Sequence, residues 1–195
     1  MLRFIGIYNY TVILTYLSLF SAVIGIVLSS KGLFTAAVFC LAFSGLCDAF
    51  DGTVARSKKN RTREEKAFGI QIDSLCDVIS FGVYPAVLCY HMGADGPAGT
   101  LCMAVYILCA VIRLAFFNVM EEERQNTEDG CNKTYRGLPV TSISIIFPVF
   151  YMLKFLIPEI LFVVLLHILL LVTAFLFILD FQVKKLCPGA LFIRK

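Results

Sequence analysis

Four aspartates occupy positions where a carboxylate is expensive to keep. Asp48 and Asp51 close one apolar run, in Asp48-Ala49-Phe50-Asp51-Gly52-Thr53-Val54-Ala55-Arg56. Asp73 and Asp77 open another, in Gly69-Ile70-Gln71-Ile72-Asp73-Ser74-Leu75-Cys76-Asp77. A charge at the centre of a membrane span costs about 2.5–3.5 kcal/mol on insertion scales, so such residues default to functional candidates. Residues three or four apart share a helix face. That spacing puts Asp48, Asp51, Gly52 and Ala55 on one stripe and Gly69, Asp73 and Asp77 on another. Two antiparallel helices joined through Ser57 to Phe68 bring the stripes together. Four carboxylates around one volume cannot all ionise without a counter-charge. All-oxygen ligands suit Mg²⁺, Mn²⁺ or Ca²⁺ rather than zinc, and two divalent cations neutralise four carboxylates formally. Paired hard cations clamp a phosphoryl group and its leaving oxygen. The missing side chains at Gly52, Ala55 and Gly69 leave space for a substrate, and Arg56 is placed to hold a phosphate.

Taken singly, each half has a plainer reading. Asp48 and Asp51 fit a solvated helix end, and Asp73 and Asp77 fit a helix start, where the macrodipole favours acids. Neither accounts for D-x-x-D-G-x-x-A-R running on into G-x-x-x-D-x-x-x-D.

The elements that must position these residues follow from composition. Of 195 residues 59% are hydrophobic and 16% charged, which excludes a secreted miniprotein, a nucleic-acid module and a disordered tail. Apolar stretches run from Tyr10 to Leu28, Gly32 to Phe50, Gly69 to Met92, Gly99 to Met120, Gly137 to Ile157 and Glu159 to Phe181. At about 20 residues per span, they predict an all-α bundle of six transmembrane helices forming a single domain over 1–195. That leaves too little chain for a soluble catalytic domain beside them. The short breaks predict antiparallel neighbours, and Phe4 to Tyr10 reads as a short interfacial lead-in. A cleaved signal peptide is disfavoured, because Ser29-Ser30-Lys31 makes a poor cleavage site.

Lys and Arg in short loops stay on the cytoplasmic side. With the N-terminus inside, that side collects Arg3, Arg56, Lys58, Lys59, Arg61, Arg63, Lys66, Arg124, Lys133, Arg136, Lys184, Lys185, Arg194 and Lys195. The opposite side has Lys31 and Lys154, and Arg113 lies inside a span. Both termini and the aspartates are therefore predicted to be cytoplasmic, in a cell (inner) membrane. The eight cysteines form no C-x-x-C pair and read as small buried apolar residues. His91 and His167 stand singly and read as structural.

The composite aspartate string resembles the signature of the CDP-alcohol phosphotransferases, membrane enzymes that displace CMP from a CDP-linked lipid or alcohol with a second alcohol. This resemblance implies six spans, a homodimer and a two-metal centre at the cytoplasmic interface. It assigns Asp48, Asp51, Asp73 and Asp77 as metal ligands, Asp77 also as general base, and Gly52, Ala55, Arg56 and Gly69 to the CDP-lipid site. The twelve residues between Arg56 and Gly69 make a longer connection than the family pattern carries.

Three further stretches are similar to the phosphatidylserine synthase branch of that family: Asp73 to Ala86, Arg113 to Asn118 and Tyr135 to Pro139. They imply CDP-diacylglycerol and serine as substrates. Phe116 departs from the pattern, which often has a basic residue there. Serine offers a carboxylate and an ammonium. Arg113, a basic residue deep within a span, is the candidate for the carboxylate, with Asn118 and Arg136 assisting. Their plainer roles are an ion pair to an aspartate for Arg113, a helix–helix hydrogen bond for Asn118 and a headgroup contact for Arg136. Glycerol 3-phosphate or inositol phosphate as acceptor would need more basic groups at depth than Arg56 and Arg113. A cation transporter would need polar residues in the outer halves of the spans, and these carry almost none.

Overall fold

The computed structural model describes residues 6–7, 10–58, 62–127 and 134–184, with side chains except at 11, 55–57, 122–127, 134–136 and 182–184. The chain is helical, in the order α1 (Ile13–Ser30), α2 (Phe34–Ser57), α3 (Arg63–Asp77), α4 (Tyr84–His91), α5 (Gly96–Thr127), α6 (Ile143–Tyr151) and α7 (Glu159–Ile178). A π-helical turn, Val78–Val83, makes α3 and α4 one rod from Arg63 to His91. Among the described residues five rods are long and apolar enough to cross a membrane: Ile13–Ser30, Phe34–Val54, Arg63–His91, Gly96–Glu121 and Glu159–Ile178. The expected span from Gly137 to Ile157 takes a different form. It is a shorter apolar segment, Val140–Phe155, in which α6 is flanked by 3₁₀ turns at Val140–Ser142 and Met152–Phe155 and contains Pro148. Proline removes a backbone donor and crowds the carbonyl four residues back, which fits a segment that does not hold one long α-helix.

Two expected boundaries also shift. The connection between the aspartate stripes is shorter than expected, because α3 starts at Arg63 rather than Gly69. Its start is fixed by a capping box: the Thr62 hydroxyl accepts from the Glu65 amide at 3.1 Å, and the Glu65 carboxylate accepts from the Thr62 amide at 3.2 Å. Two otherwise orphan donors are thereby satisfied. Lys58 adds an ion pair to Glu65 at 2.7 Å. At the other boundary, a two-stranded antiparallel pair joins Thr134–Arg136 to Gln182–Lys184, a small β element added to the all-α expectation. Most of the expected lead-in from Phe4 to Tyr10 lies outside the described residues, and Tyr10–Val12 is a 3₁₀ turn.

Away from the aspartates the turns are written locally. After α1, the Leu33 amide bonds the Leu28 carbonyl and the Gly32 amide the Ser29 carbonyl, both at 3.0 Å, with Gly32 at φ +74°. This is a Schellman closure, for which a left-handed glycine is the natural residue. Gly93 closes α4 in the same way, at φ +107°.

α1 and α2 pack through small residues. Ser18 and Ser44 donate to each other's backbone carbonyls at 3.2 and 2.9 Å, and Ser21 donates to the Cys40 carbonyl at 2.9 Å. Close approach of this kind is how helices associate where lipid supplies no hydrophobic drive. Gly25 lies under the Tyr84 hydroxyl, which donates to the Ala37 carbonyl, so the ring of α4 seats directly on the α1–α2 pair. The buried core is built from Phe81, Tyr84, Tyr106, Ile143, Phe147, Phe162, Leu166, Leu170 and Phe177. Phe20, Phe39, Ile145 and Ile160 face outward, as lipid-facing residues should.

Candidate metal centre

α2 and α3 bring the two acidic stripes together. Asp48, Asp73 and Asp77 each offer a carboxylate oxygen, and these oxygens lie within 4.8 Å of one another. Asp51 adjoins Asp73, and Thr15 of α1 donates to Asp51 at 3.4 Å and also reaches Asp73. Thr141, just ahead of α6, hydrogen-bonds Asp48. Four elements, α1, α2, α3 and the turn before α6, therefore meet at the acids. Asp77 is 8% exposed, and Asp73 Oδ1 is buried without a hydrogen-bond partner. A buried acceptor left unsatisfied is costly, and a hard divalent cation would be a suitable partner for it. The donor set, all carboxylate oxygen within one small volume, fits such a cation.

Asp77 sits where the α-helical part of the rod ends. The rod turns π-helical directly after it, and such turns recur at functional sites. Pro85 has no amide to give to the Phe81 carbonyl four residues back. The Tyr106 hydroxyl of α5 fills that carbonyl instead, at 2.7 Å. One tyrosine thus stabilises the irregular turn and ties α3–α4 to α5.

The remaining candidates are placed differently. Gly52 and Gly69 are half-buried on α2 and α3. The side chains of Ala55, Arg56 and Arg136 lie outside the described residues. Asn118 accepts from Ser74 at 2.6 Å, so it does make a contact between helices, beside Asp73. Arg113 is buried and its Nε donates to the Leu138 carbonyl at 3.3 Å, with Asp180 acting on its charge. It packs against Gly137, whose φ of +70° and amide bond to the Phe181 carbonyl at 2.6 Å hold the turn that leads to Thr141. His91 bonds Ser29 at 2.9 Å and His167 the Val163 carbonyl at 2.8 Å, in keeping with structural roles. The described cysteines are free thiols, five of them buried.

Thr15, Ser74 and Thr141 were missed by sequence reasoning. For Thr15 a signal existed: Thr15, Ser18 and Ser21 form a hydroxyl stripe at helical spacing in an otherwise oily span. Nothing near Thr141 in the sequence points across the bundle to Asp48.

The chain is similar to several known proteins. Over 144 residues the chain is 35% identical to the archaetidylserine synthase of Methanothermobacter thermautotrophicus, covering 73% of this chain and 58% of that protein. It is 33% identical over 113 residues to the CDP-diacylglycerol–serine O-phosphatidyltransferase of Saccharomyces cerevisiae, covering 56% and 40%. The enzyme of that name from Helicobacter pylori is 32% identical over 142 residues, covering 72% and 56%. The chain spans about half the length of the curated relatives it matches. The profile of the CDP-alcohol phosphatidyltransferases matches residues 8–179, which takes in all four aspartates, their threonine partners and every long rod, and the chain belongs to that family.

Proposed function

We propose that this chain transfers a phosphatidyl group from CDP-diacylglycerol to L-serine, giving phosphatidylserine and CMP. The observation that carries the proposal is the convergence of Asp48, Asp73 and Asp77, whose carboxylate oxygens lie within 4.8 Å of one another. The names of the relatives support serine as acceptor. Asp48, Asp51, Asp73 and Asp77 would hold two divalent cations, Mg²⁺ or Mn²⁺, which when bound would supply charge neutralisation for the diphosphate and the departing phosphate oxygen. Gly52, Ala55 and Gly69 leave room for the cytidine nucleotide, and Arg56 binds a phosphate oxygen.

Asp77 accepts the proton of the serine hydroxyl. The serine oxygen bonds to the phosphorus that bears diacylglycerol, the bond from that phosphorus to the bridging oxygen breaks, and CMP leaves with the electron pair. Thr15 and Thr141 orient the ligand carboxylates as outer-shell donors commonly do. Arg113, Asn118 and Arg136 form the serine side of the site, with Arg113 as partner for the carboxylate.

In this reading residues 1–195 form one domain of six crossings, Val140–Phe155 supplying the sixth. Both termini and the site face the cytoplasm, and the chain forms a homodimer in the cell membrane. The test is to incubate membranes containing the chain with CDP-diacylglycerol and, separately, labelled serine, glycerol 3-phosphate and inositol phosphate. Label from serine alone is expected in lipid; label from another acceptor instead of serine overturns the assignment.

A further inference from the structure

The end of the bundle away from the aspartates has a second polar site that the proposed reaction does not use. From Thr15, beside Asp51, to Ser29, beside His91, α1 advances about 21 Å at 1.5 Å per residue, so the two sites are separated by about two thirds of a ~30 Å hydrocarbon core. At this end Lys154 Nζ stands 4.6 Å above the Phe34 ring and 5.8 Å from the Tyr151 ring centroid. The tyrosine is itself held by Thr35, its hydroxyl 3.1 Å from Thr35 Oγ1. Among the described residues no carboxylate pairs with this ammonium, although Glu159 shares a cleft with it.

Lys154 and Phe34 form the wall between two clefts. The first, about 430 Å³, is lined by His91, Gly93, Lys154, Glu159 and Phe162 among others, and so presents both signs of charge. His91 is oriented there by its Nδ1 contact to Ser29. The second, about 500 Å³, runs along Leu33, Ala36 and Phe39 to Tyr151 and is mostly apolar. Leu33, which caps the start of α2, and Phe39, on its spanning stretch, are both exposed. A charged cleft opening across one lysine into an oily groove matches an amphiphile rather than a free anion. Aromatic faces attract a desolvated cation, and Lys154 with Glu159 offers both charges that a zwitterionic headgroup needs.

We propose that this end binds one phospholipid with a zwitterionic headgroup. Its phosphate pairs with Lys154, its ammonium with Glu159, and one acyl chain lies along Leu33, Ala36 and Phe39. The site is independent of the phosphatidyl-transfer reading, since none of its residues belongs to the aspartate cluster.

Native mass spectrometry of the detergent-purified chain, titrated with phosphatidylethanolamine, tests it. One bound lipid is expected to persist in Asp73→Asn and to weaken about tenfold in Lys154→Met, which keeps the stem over Phe34 but loses a charge-assisted bond. Lys154→Arg should retain it. Glu159→Gln, a change at an exposed position, should weaken phosphatidylethanolamine but leave phosphatidylglycerol unaffected. Inorganic phosphate and diacylglycerol should not compete. Equal binding by wild type, Lys154→Met and Glu159→Gln overturns the proposal. So does loss of the lipid in Asp73→Asn, or its displacement by inorganic phosphate.

Discussion

The two ends of the bundle solve opposite problems. At the Lys154 end, neighbouring residues in the chain make the turns, with Gly32 and Gly93 closing helices through bonds that span only five residues. At the aspartate end, α1, α2, α3 and the turn before α6 each contribute one or two groups to a single volume. The first arrangement is cheap to fold and carries few charges. The second gathers like charges in a place where repulsion and desolvation both oppose it, and such clusters persist where binding offsets their cost. One end is closed by turns written locally, and the other gathers its groups from four separate elements.

The sharpest way to break this contrast is at Asp77. Asp77→Asn should lower CMP release by about 10²–10⁴-fold, the usual weight of a general base, while circular dichroism and gel filtration stay unchanged. Near-normal turnover in the folded variant would sink the base assignment. Next in size is the metal. Chelation should abolish activity, and adding Mg²⁺ or Mn²⁺ back should restore it and raise the melting temperature, because a ligand of the native state alone stabilises it. Asp48→Asn and Asp73→Asn should remove that melting shift, and full activity after exhaustive chelation would exclude the metal.

At the opposite pole the expected loss is of stability. Gly25→Val drives a side chain into the Tyr84 ring and should cost about 1–3 kcal/mol, as overpacking does, measured by denaturant or thermal unfolding in detergent. Metal affinity in the surviving folded fraction should stay normal. A smaller effect is expected from Thr15→Val, which removes the hydroxyl bridging Asp51 and Asp73. Outer-shell losses run at about 10–100-fold in metal affinity, so a metal titration of activity should shift by about tenfold with little change at saturating metal. Smallest is Ser30→Ala, whose exposed hydroxyl bonds only to its own helix; it should fall within about 0.5 kcal/mol of wild type.

Much of the fold was legible. Long apolar runs, glycines at the turns and acids at period three and four all act through neighbours in sequence, so α1, α2, the α3–α4 rod, α5 and α7 lie where the pattern puts them. The early start of α3 was legible in principle as well. Thr62 with Glu65 is a capping box, but the charge run from Arg56 to Lys66 masked it, because polar residues read as loop. Composition missed the break-up of Val140–Phe155, which is apolar throughout and yet divides into 3₁₀, α and 3₁₀ pieces around Pro148.

For the site, residue types and spacing alone selected the four aspartates and the two faces that hold them, because helical periodicity links positions only three or four apart. Only the tertiary structure decided that Asp48, Asp73 and Asp77 form the tight triad while Asp51 leans on Thr15. It also decided that Thr141 reaches Asp48, that Asn118 pairs with Ser74, and that Arg113 packs on the Gly137–Leu138 turn. Between elements those contacts join residues 24 to 93 positions apart, and nothing local in the chain encodes which helix faces which. Packing makes that choice, through serines and glycines small enough to let particular backbones meet.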